Sequence, residues 1–318
     1  MFRIPRITTR IGIRHSSLMV DPLQPNRISK SQTMSQFPPP TIVLFDLWNT
    51  LFTPKKPIAQ QYYEISHGEF QMNKLVQSIE SDFAKIFKQM AQEFPNYGKS
   101  SSHMNSSNDW WKELIVRVYD ISDTQLALRL SERLILHFSG NEAYVLFDDV
   151  IPVLEQLKQN SVRIVGASNL DHRVFSVMKS LGISQYFSEA NVYLSYDLGM
   201  TKPNRDFYLT IAKEYYTLDA QQGVCDSMTK FLENAWHVGD HYEKDFVGAI
   251  KSGWNGVLLD RNRTSIFMRH KQPEQRISND CFETPCADPL DGDDLVMISN
   301  NRICVSSLTE IPRLFGYQ

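Results

Sequence analysis

The stretch Thr41-Ile42-Val43-Leu44-Phe45-Asp46-Leu47-Trp48-Asn49-Thr50 decides the fold. Residues 41–45 are apolar or β-branched without alternation, the pattern of a strand buried on both faces in a parallel sheet. The run stops at a carboxylate, Asp46. Ligands of open parallel sheets bind beyond the carboxyl ends of the strands, so an acid at that place is a candidate functional group.

Downstream the pattern changes twice. From about Ile58 to Gly140 apolar residues recur with helical spacing, through Phe70, Leu75, Ile79, Phe83, Ile86, Phe87 and Met90 and again from Trp110 to Phe138. The polar stretch Ser100 to Asn108 separates the two halves as a loop. After Ala143 strands and helices alternate: helices near Val150–Gln159, Asp171–Leu181, Asp206–Tyr216 and Lys244–Lys251, strands at Val162–Ala167, Val192–Leu194, Ala235–Val238 and Val257–Leu259. That alternation predicts an α/β fold, a doubly wound parallel Rossmann-like sheet with a helical domain inserted after the first strand. The domains are then 1–40, a basic targeting or disordered segment; 41–57 with 141–318, the α/β core; and 58–140, the helical insert. Within the core, 261–300 is poorly periodic and crowds acids between Cys281 and Asp294, which reads as a long surface insertion.

The first 40 residues hold Arg3, Arg6, Arg10, Arg14, Arg27 and Lys30 against a single acid, Asp21, a composition that predicts a mitochondrial transit peptide. Initiation at Met34, upstream of Pro38–Pro40, would yield a cytoplasmic or nuclear form. Over the whole chain 33 Lys and Arg face 36 Asp and Glu, so no strong field favours nucleic acid or an anionic membrane, and no nucleic-acid motif appears. No apolar run approaches the length of a membrane span. Cys225, Cys281, Cys286 and Cys304 form no close CxxC pair, which predicts free thiols and no zinc site.

Four polar clusters follow the predicted strands. Asp46 and Thr50 follow the first; Ser168 and Asn169, then Lys202, then Asp240 and Asp245 follow later ones. One carboxylate could attack, a hydroxyl and an ammonium could hold an anion, and two further carboxylates could hold a divalent cation, an inventory suited to phosphoryl transfer. Singly, each is as well explained by a cap or a turn; the ordered set is not.

At these residues the sequence resembles the haloacid dehalogenase-like (HAD) hydrolase superfamily, whose motifs are a strand with DxDxT, a strand-end Ser or Thr, a Lys and an acidic pair after Gly-Asp. The segments 46–50 and 94–98 (Phe-Pro-Asn-Tyr-Gly) and Trp110-Trp111 resemble most its eukaryotic HAD-like hydrolase domain-containing and rhythmically-expressed-gene-type subgroup. The resemblance covers about Thr41 to Asp260 and implies that the insert is a type 1 cap. It also implies Asp46 as nucleophile through an aspartyl-phosphate, and Mg²⁺ held by Asp46, the backbone carbonyl of Trp48 and Asp240, with Asp245 ordering the metal's waters. Ser168, Asn169 and Lys202 would bind the phosphoryl group of a small phosphorylated or acyl-phosphate-like substrate. Asn49 stands where the family commonly has Gly, and Asn tolerates the positive φ of such a turn.

The departure is Trp48, at the place of the second Asp of DxDxT. That Asp protonates the leaving group and activates water, worth about 10²- to 10⁴-fold, and indole can do neither. His241 beside Asp240 reads as a solvent-facing loop residue rather than a substitute. Phosphatase chemistry on substrates with good leaving groups is thus expected. Metal-independent 2-haloacid dehalogenase chemistry, in which an aromatic is common at this place, and a non-catalytic binding or regulatory role are the alternatives. Phe94, Tyr97, Trp110 and Trp111 read as the insert's own core.

Overall fold

A computed structural model describes residues 26–27, 37–268, 294–299 and 301–317. The sequence expectations for residues 1–25, for Met34, and for Cys281, Cys286 and the acids around them lie outside the described residues. In chain order the strands are β1 (Asn26–Arg27), β2 (Ile42–Phe45), β3 (Phe52–Pro54), β4 (Tyr144–Leu146), β5 (Arg163–Ser168), β6 (Val192–Leu194), β7 (Ala235–Gly239), β8 (Asn255–Leu259), β9 (Leu295–Ser299) and β10 (Arg302–Val305). Eight of them form one sheet in the order β1-β9-β10-β8-β7-β2-β5-β6. From β10 to β6 every neighbour runs parallel, while β9 and β1 close one edge antiparallel.

The decisive strand sits in the middle. β2 pairs with β5 on one side and β7 on the other, with Leu44 opposite Val165 and His237. Val43 and Phe45 join the apolar core on one face with Val238 and Val257, and Ile42 and Leu44 join the core on the other with Phe207 and Ile211. All four β2 side chains are fully buried, as a doubly covered strand requires. The α/β class and parallel order therefore stand as the sequence predicted.

Between Pro54 and Tyr144 stand four long helices, Ile58–Phe70, Val76–Glu93, Ser107–Tyr119 and Thr124–His137. Their ends are well marked: Ser106 and Asp109 form a reciprocal capping box, and Asp123 accepts from the backbone of Gln125 and Leu126. β3 and β4, the chain's way into and out of this unit, pair antiparallel as a two-stranded ribbon, Phe52 opposite Leu146 and Pro54 opposite Tyr144.

Three expectations need correction. The segment 261–300 is not insertion throughout, because Leu295–Ser299 alternates buried and half-buried residues and pairs with β10. Acids and turn formers on its N-terminal side hide that alternation from a composition-based reading. The segment 1–40 is not wholly outside the fold: Asn26 and Arg27 pair with Met297 and Val296, on an edge that would otherwise leave backbone groups unpaired, and Phe37 meets Trp236 edge-on at 5.1 Å. The predicted helix at Lys244–Lys251 begins earlier, as a π-helical turn over Tyr242–Val247, before Gly248–Lys251 continues as α-helix. Wide turns of this kind recur at functional sites, and this one carries Asp245.

Among the described residues no helix is long and apolar enough to cross a membrane. Cys225 and Cys304 are free thiols.

Candidate active site

Asp46 follows β2, Ser168 ends β5, and Asp240 follows β7, so parallel register alone brings these groups to one rim of the sheet. The amide of Asp46 donates to the Val238 carbonyl at 2.9 Å, carrying the pairing one residue past the strand. Lys202 reaches the same place from its loop. Asp46, Ser168, Lys202 and Asp245 are all nearly inaccessible to solvent.

The hydrogen bonds assign one job to each oxygen of Asp46. Oδ1 accepts from Ser168 Oγ at 2.9 Å and from Lys202 Nζ at 2.6 Å. Oδ2 faces Thr50, whose hydroxyl lies 3.5 Å from it and 3.4 Å from Asp240 Oδ1, while the amide of Asp240 donates to that hydroxyl at 3.2 Å. Thr50 thus ties together the two carboxylates that follow β2 and β7.

Lys202 Nζ makes three short contacts, to Asp46 Oδ1, to Asp245 Oδ1 at 2.5 Å and to the Ala167 carbonyl at 2.7 Å. Burial pulls its ammonium toward neutrality, but Asp245 and Asp46 outweigh that and hold its pKa above the ordinary lysine value. Asp245 is the reverse case. Burial raises it, yet Lys202 and His237 together hold it well below the carboxylate range. Burial keeps His237 neutral, so its Nε2 carries the proton and donates to Asp245 Oδ1 at 3.1 Å. The backbone N–H of His241 donates to Asp245 Oδ2 at 3.0 Å. Both Asp245 oxygens are therefore engaged, and its principal contact is the lysine. Gly239 is required for this approach, because a Cβ there would lie 2.6 Å from Asp245 Oδ2.

Asn169 lines the cavity beside Ser168 and Lys202. Its Nδ2 donates to the Lys202 carbonyl at 2.9 Å and its Oδ1 accepts from the Lys202 amide at 2.8 Å, so the carboxamide grips the lysine's backbone. Asn49 does adopt positive φ, at 58°. The Trp48 indole packs edge-on against Tyr144 at 5.4 Å and Phe52 at 6.2 Å, at the base of the β3–β4 ribbon, with no proton-transfer group in its place. His241 is exposed and its Nδ1 accepts from the Lys244 amide at 3.3 Å, capping the following turn.

Asp46, Asp240 and Asp245 each offer an oxygen, all within 4.8 Å of one another. Burial first, then Asp46 and Asp245, push Asp240 up to about 7. Burial also raises Asp46, even with Lys202 beside it. Three carboxylates that share one ammonium are short of positive charge, and oxygen donors so arranged suit a hard divalent cation such as Mg²⁺. Asp46 Oδ2 and Asp240, which the lysine does not touch, have the capacity to hold it directly.

A cavity of about 350 Å³ opens from these groups into the helical unit. Its floor is Asp46, Ser168, Lys202 and Asp240, and its far walls include Phe83, Phe87 and Leu134. Two residues read from sequence as insert core line it instead. Tyr97 donates its hydroxyl to the Asn169 carbonyl at 2.9 Å, and Trp111 Nε1 donates to Asp171 Oδ2 at 2.8 Å while Arg173 stacks on its ring at 4.2 Å. Neighbouring helical residues point about 100° apart, so Trp110 enters the core, 1% exposed, while Trp111 faces the sheet domain. The segment before them is bent to fit: Asn96 and Tyr97 both have positive φ, and Asn96 Nδ2 donates to the Ser195 carbonyl at 2.6 Å.

The sequence profile of a hydrolase family, haloacid dehalogenase-like hydrolase, matches residues 40–253. The chain is similar to the protein YMR130W of Saccharomyces cerevisiae, 28% identical over 87% of this chain and 93% of that one. It is similar also to haloacid dehalogenase-like hydrolase domain-containing protein 3 of Danio rerio, 27% identical over 69% and 84% of the two chains. Rhythmically expressed gene 2 protein of Drosophila melanogaster is 23% identical over 72% and 86%. Among solved structures, the HAD-hydrolase YfnB from Bacillus subtilis bound to magnesium superposes with a TM-score of 0.55 at 11% identity, over 87% of this chain and 99% of that one, a likeness of fold.

Proposed function

From the premise that this chain belongs to the haloacid dehalogenase-like hydrolases, we propose that it hydrolyses small phosphorylated compounds whose leaving group needs no protonation, acyl phosphates foremost. One observation carries the reading: a buried carboxylate, Asp46, has one oxygen fixed by Ser168 and Lys202, while the other shares the Thr50 hydroxyl with a second carboxylate, Asp240. Asp46 attacks phosphorus, the leaving group departs with the P–O electron pair, and water then cleaves the aspartyl-phosphate to release phosphate and restore the carboxylate. Ser168 and Lys202 stabilise charge on the transferring group from fixed positions. Asp46 and Asp240 would hold Mg²⁺, which would supply charge neutralisation to the transferring group.

Trp48 sets the substrate preference. With no acid above Asp46, turnover should fall steeply as the leaving group becomes more basic. Acetyl phosphate is expected to turn over about 10²- to 10⁴-fold faster than glycerol phosphate in kcat/KM with Mg²⁺ present. Equal rates would show that another group supplies the proton. The same Trp48 favours the dehalogenase reading, and halide release from a 2-haloacid that persists under chelation would establish it. Against that reading stand three clustered carboxylates, which repel an anionic haloacid unless a cation offsets them.

Metal uptake carries its own pH signature. Asp240, at about 7 without metal, must be ionised to ligate, so the proton competes with the cation. Mg²⁺ affinity measured by calorimetry is expected to plateau above pH 8 and to weaken by up to about tenfold per unit below pH 6. A flat profile from pH 5 to 8 would remove Asp240 from the ligand set.

A further inference from the structure

The cavity has two ends of different chemistry. Beyond the charged floor its walls are carbon, with Phe83 and Phe87 from one helix and Leu134 from another. A sugar or polyol would bury hydroxyls against these walls, and each hydroxyl left without a partner lowers affinity roughly five- to hundredfold. An apolar or aromatic body loses nothing there.

Polar groups nevertheless line this apolar space. Tyr62 and Tyr144 are 3% and 6% exposed, and neither hydroxyl has a hydrogen-bond partner among the described residues. Neighbouring phenols are instead paired within the protein: Tyr97 bonds the Asn169 carbonyl and Tyr119 the Tyr62 carbonyl. Arg173 lines the same cavity. Its Nε and Nη2 are engaged by Asp171 at 2.9 and 2.8 Å, which leaves Nη1 without a hydrogen-bond partner among the described residues. Arg173 acts electrostatically on both phenols. Two hydroxyls and one guanidinium N–H line one cavity, remain open to its solvent and are unmatched among the described residues, so an acceptor on a ligand can replace the water that reaches them.

We propose that Tyr62, Tyr144 and Arg173 form a second subsite that receives a hydrogen-bond-accepting group, a carboxylate or carbonyl, on the apolar or aromatic body of the phosphorylated substrate. The proposal rests on the assignment of the phosphoryl group to Asp46, Ser168 and Lys202. Asp171 already balances the guanidinium charge, so neutral and anionic acceptors are both compatible with the subsite.

Non-hydrolysable phosphonates test it by calorimetry on the full chain with Mg²⁺. Phenylphosphonate is expected to bind about tenfold or more tighter than methylphosphonate through burial of its ring. A 4-carboxyl or 4-acetyl substituent should add about another tenfold, and Tyr62→Phe with Tyr144→Phe should bring that last ratio close to one. Each single substitution should remove part of it and serves if the double variant does not fold. If the substituent gives no advantage, or its advantage survives loss of both hydroxyls, the subsite is wrong while methylphosphonate binding still upholds the phosphoryl assignment. If no phosphonate binds with Mg²⁺, that assignment falls and the subsite with it.

Discussion

Asp46→Asn is expected to abolish turnover of acetyl phosphate, by about 10⁴-fold or more, and to leave the protein melting no lower than the native chain. The side chain keeps its shape, so Ser168 can still donate to the remaining oxygen. What disappears is the ionised oxygen that the proposed reaction needs as its nucleophile. The stability half of the result follows from electrostatics. Burial and the Asp245 charge together raise the pKa of Asp46 against the pull of Lys202 and Ser168, so its charge is held in the folded state at a cost. Removing that charge relieves repulsion with Asp240 and Asp245, and Lys202 retains Asp245 and the Ala167 carbonyl. Sites built for chemistry commonly give up stability in this way. Activity that survives the substitution would place the nucleophile elsewhere.

Lys202→Met should do the opposite, destabilising the fold by roughly 3–5 kcal/mol, because truncating one partner leaves buried charges uncompensated. The lysine's side chain is 2% exposed and links two carboxylates, Asp46 and Asp245, that are themselves buried. Without it, three acids face one another with no cation supplied by the chain. Saturating Mg²⁺ should restore part of the loss in the variant, and by more than it stabilises the native protein, since it then carries the whole neutralising charge. Urea denaturation with Mg²⁺ and with chelator measures both quantities. A variant as stable as native, indifferent to metal, would mean that the carboxylates take up protons instead and that the cluster is less crowded than its distances indicate.

The parts of this site that the sequence displays are those that strand order delivers. Asp46, Ser168 and Asp240 stand at the carboxyl ends of three neighbouring parallel strands, and an apolar run followed by a polar residue announces each one. Lys202 and Asp245 show in the sequence only as polar residues after later strands, and their individual roles come through resemblance to a family pattern, because the loop that brings the lysine across 156 residues to Asp46 has no periodicity of its own. Asn169 shows the limit of residue chemistry. A carboxamide after a strand-end serine suits an oxyanion, and only the fold reveals that it also grips the backbone of Lys202. Trp111 could have been separated from Trp110 by helical phase, since adjacent positions cannot share one face. Tyr62 and Tyr144 carry no such signal. Tyrosines in an amphipathic helix and a short strand look like ordinary core until the absence of hydroxyl partners is seen.

The antiparallel pairing of Phe52–Pro54 with Tyr144–Leu146 brings the two ends of the helical unit side by side. A module joined through adjacent ends can be lengthened, shortened or exchanged as a cassette without disturbing the order of the sheet beneath it. The groups proposed to react belong almost wholly to the sheet domain, whereas the cavity's apolar walls come largely from the cassette. Descendants of one ancestral gene could therefore inherit the same bond-breaking machinery and diverge in what they admit to it, by changing only what lies between two short strands.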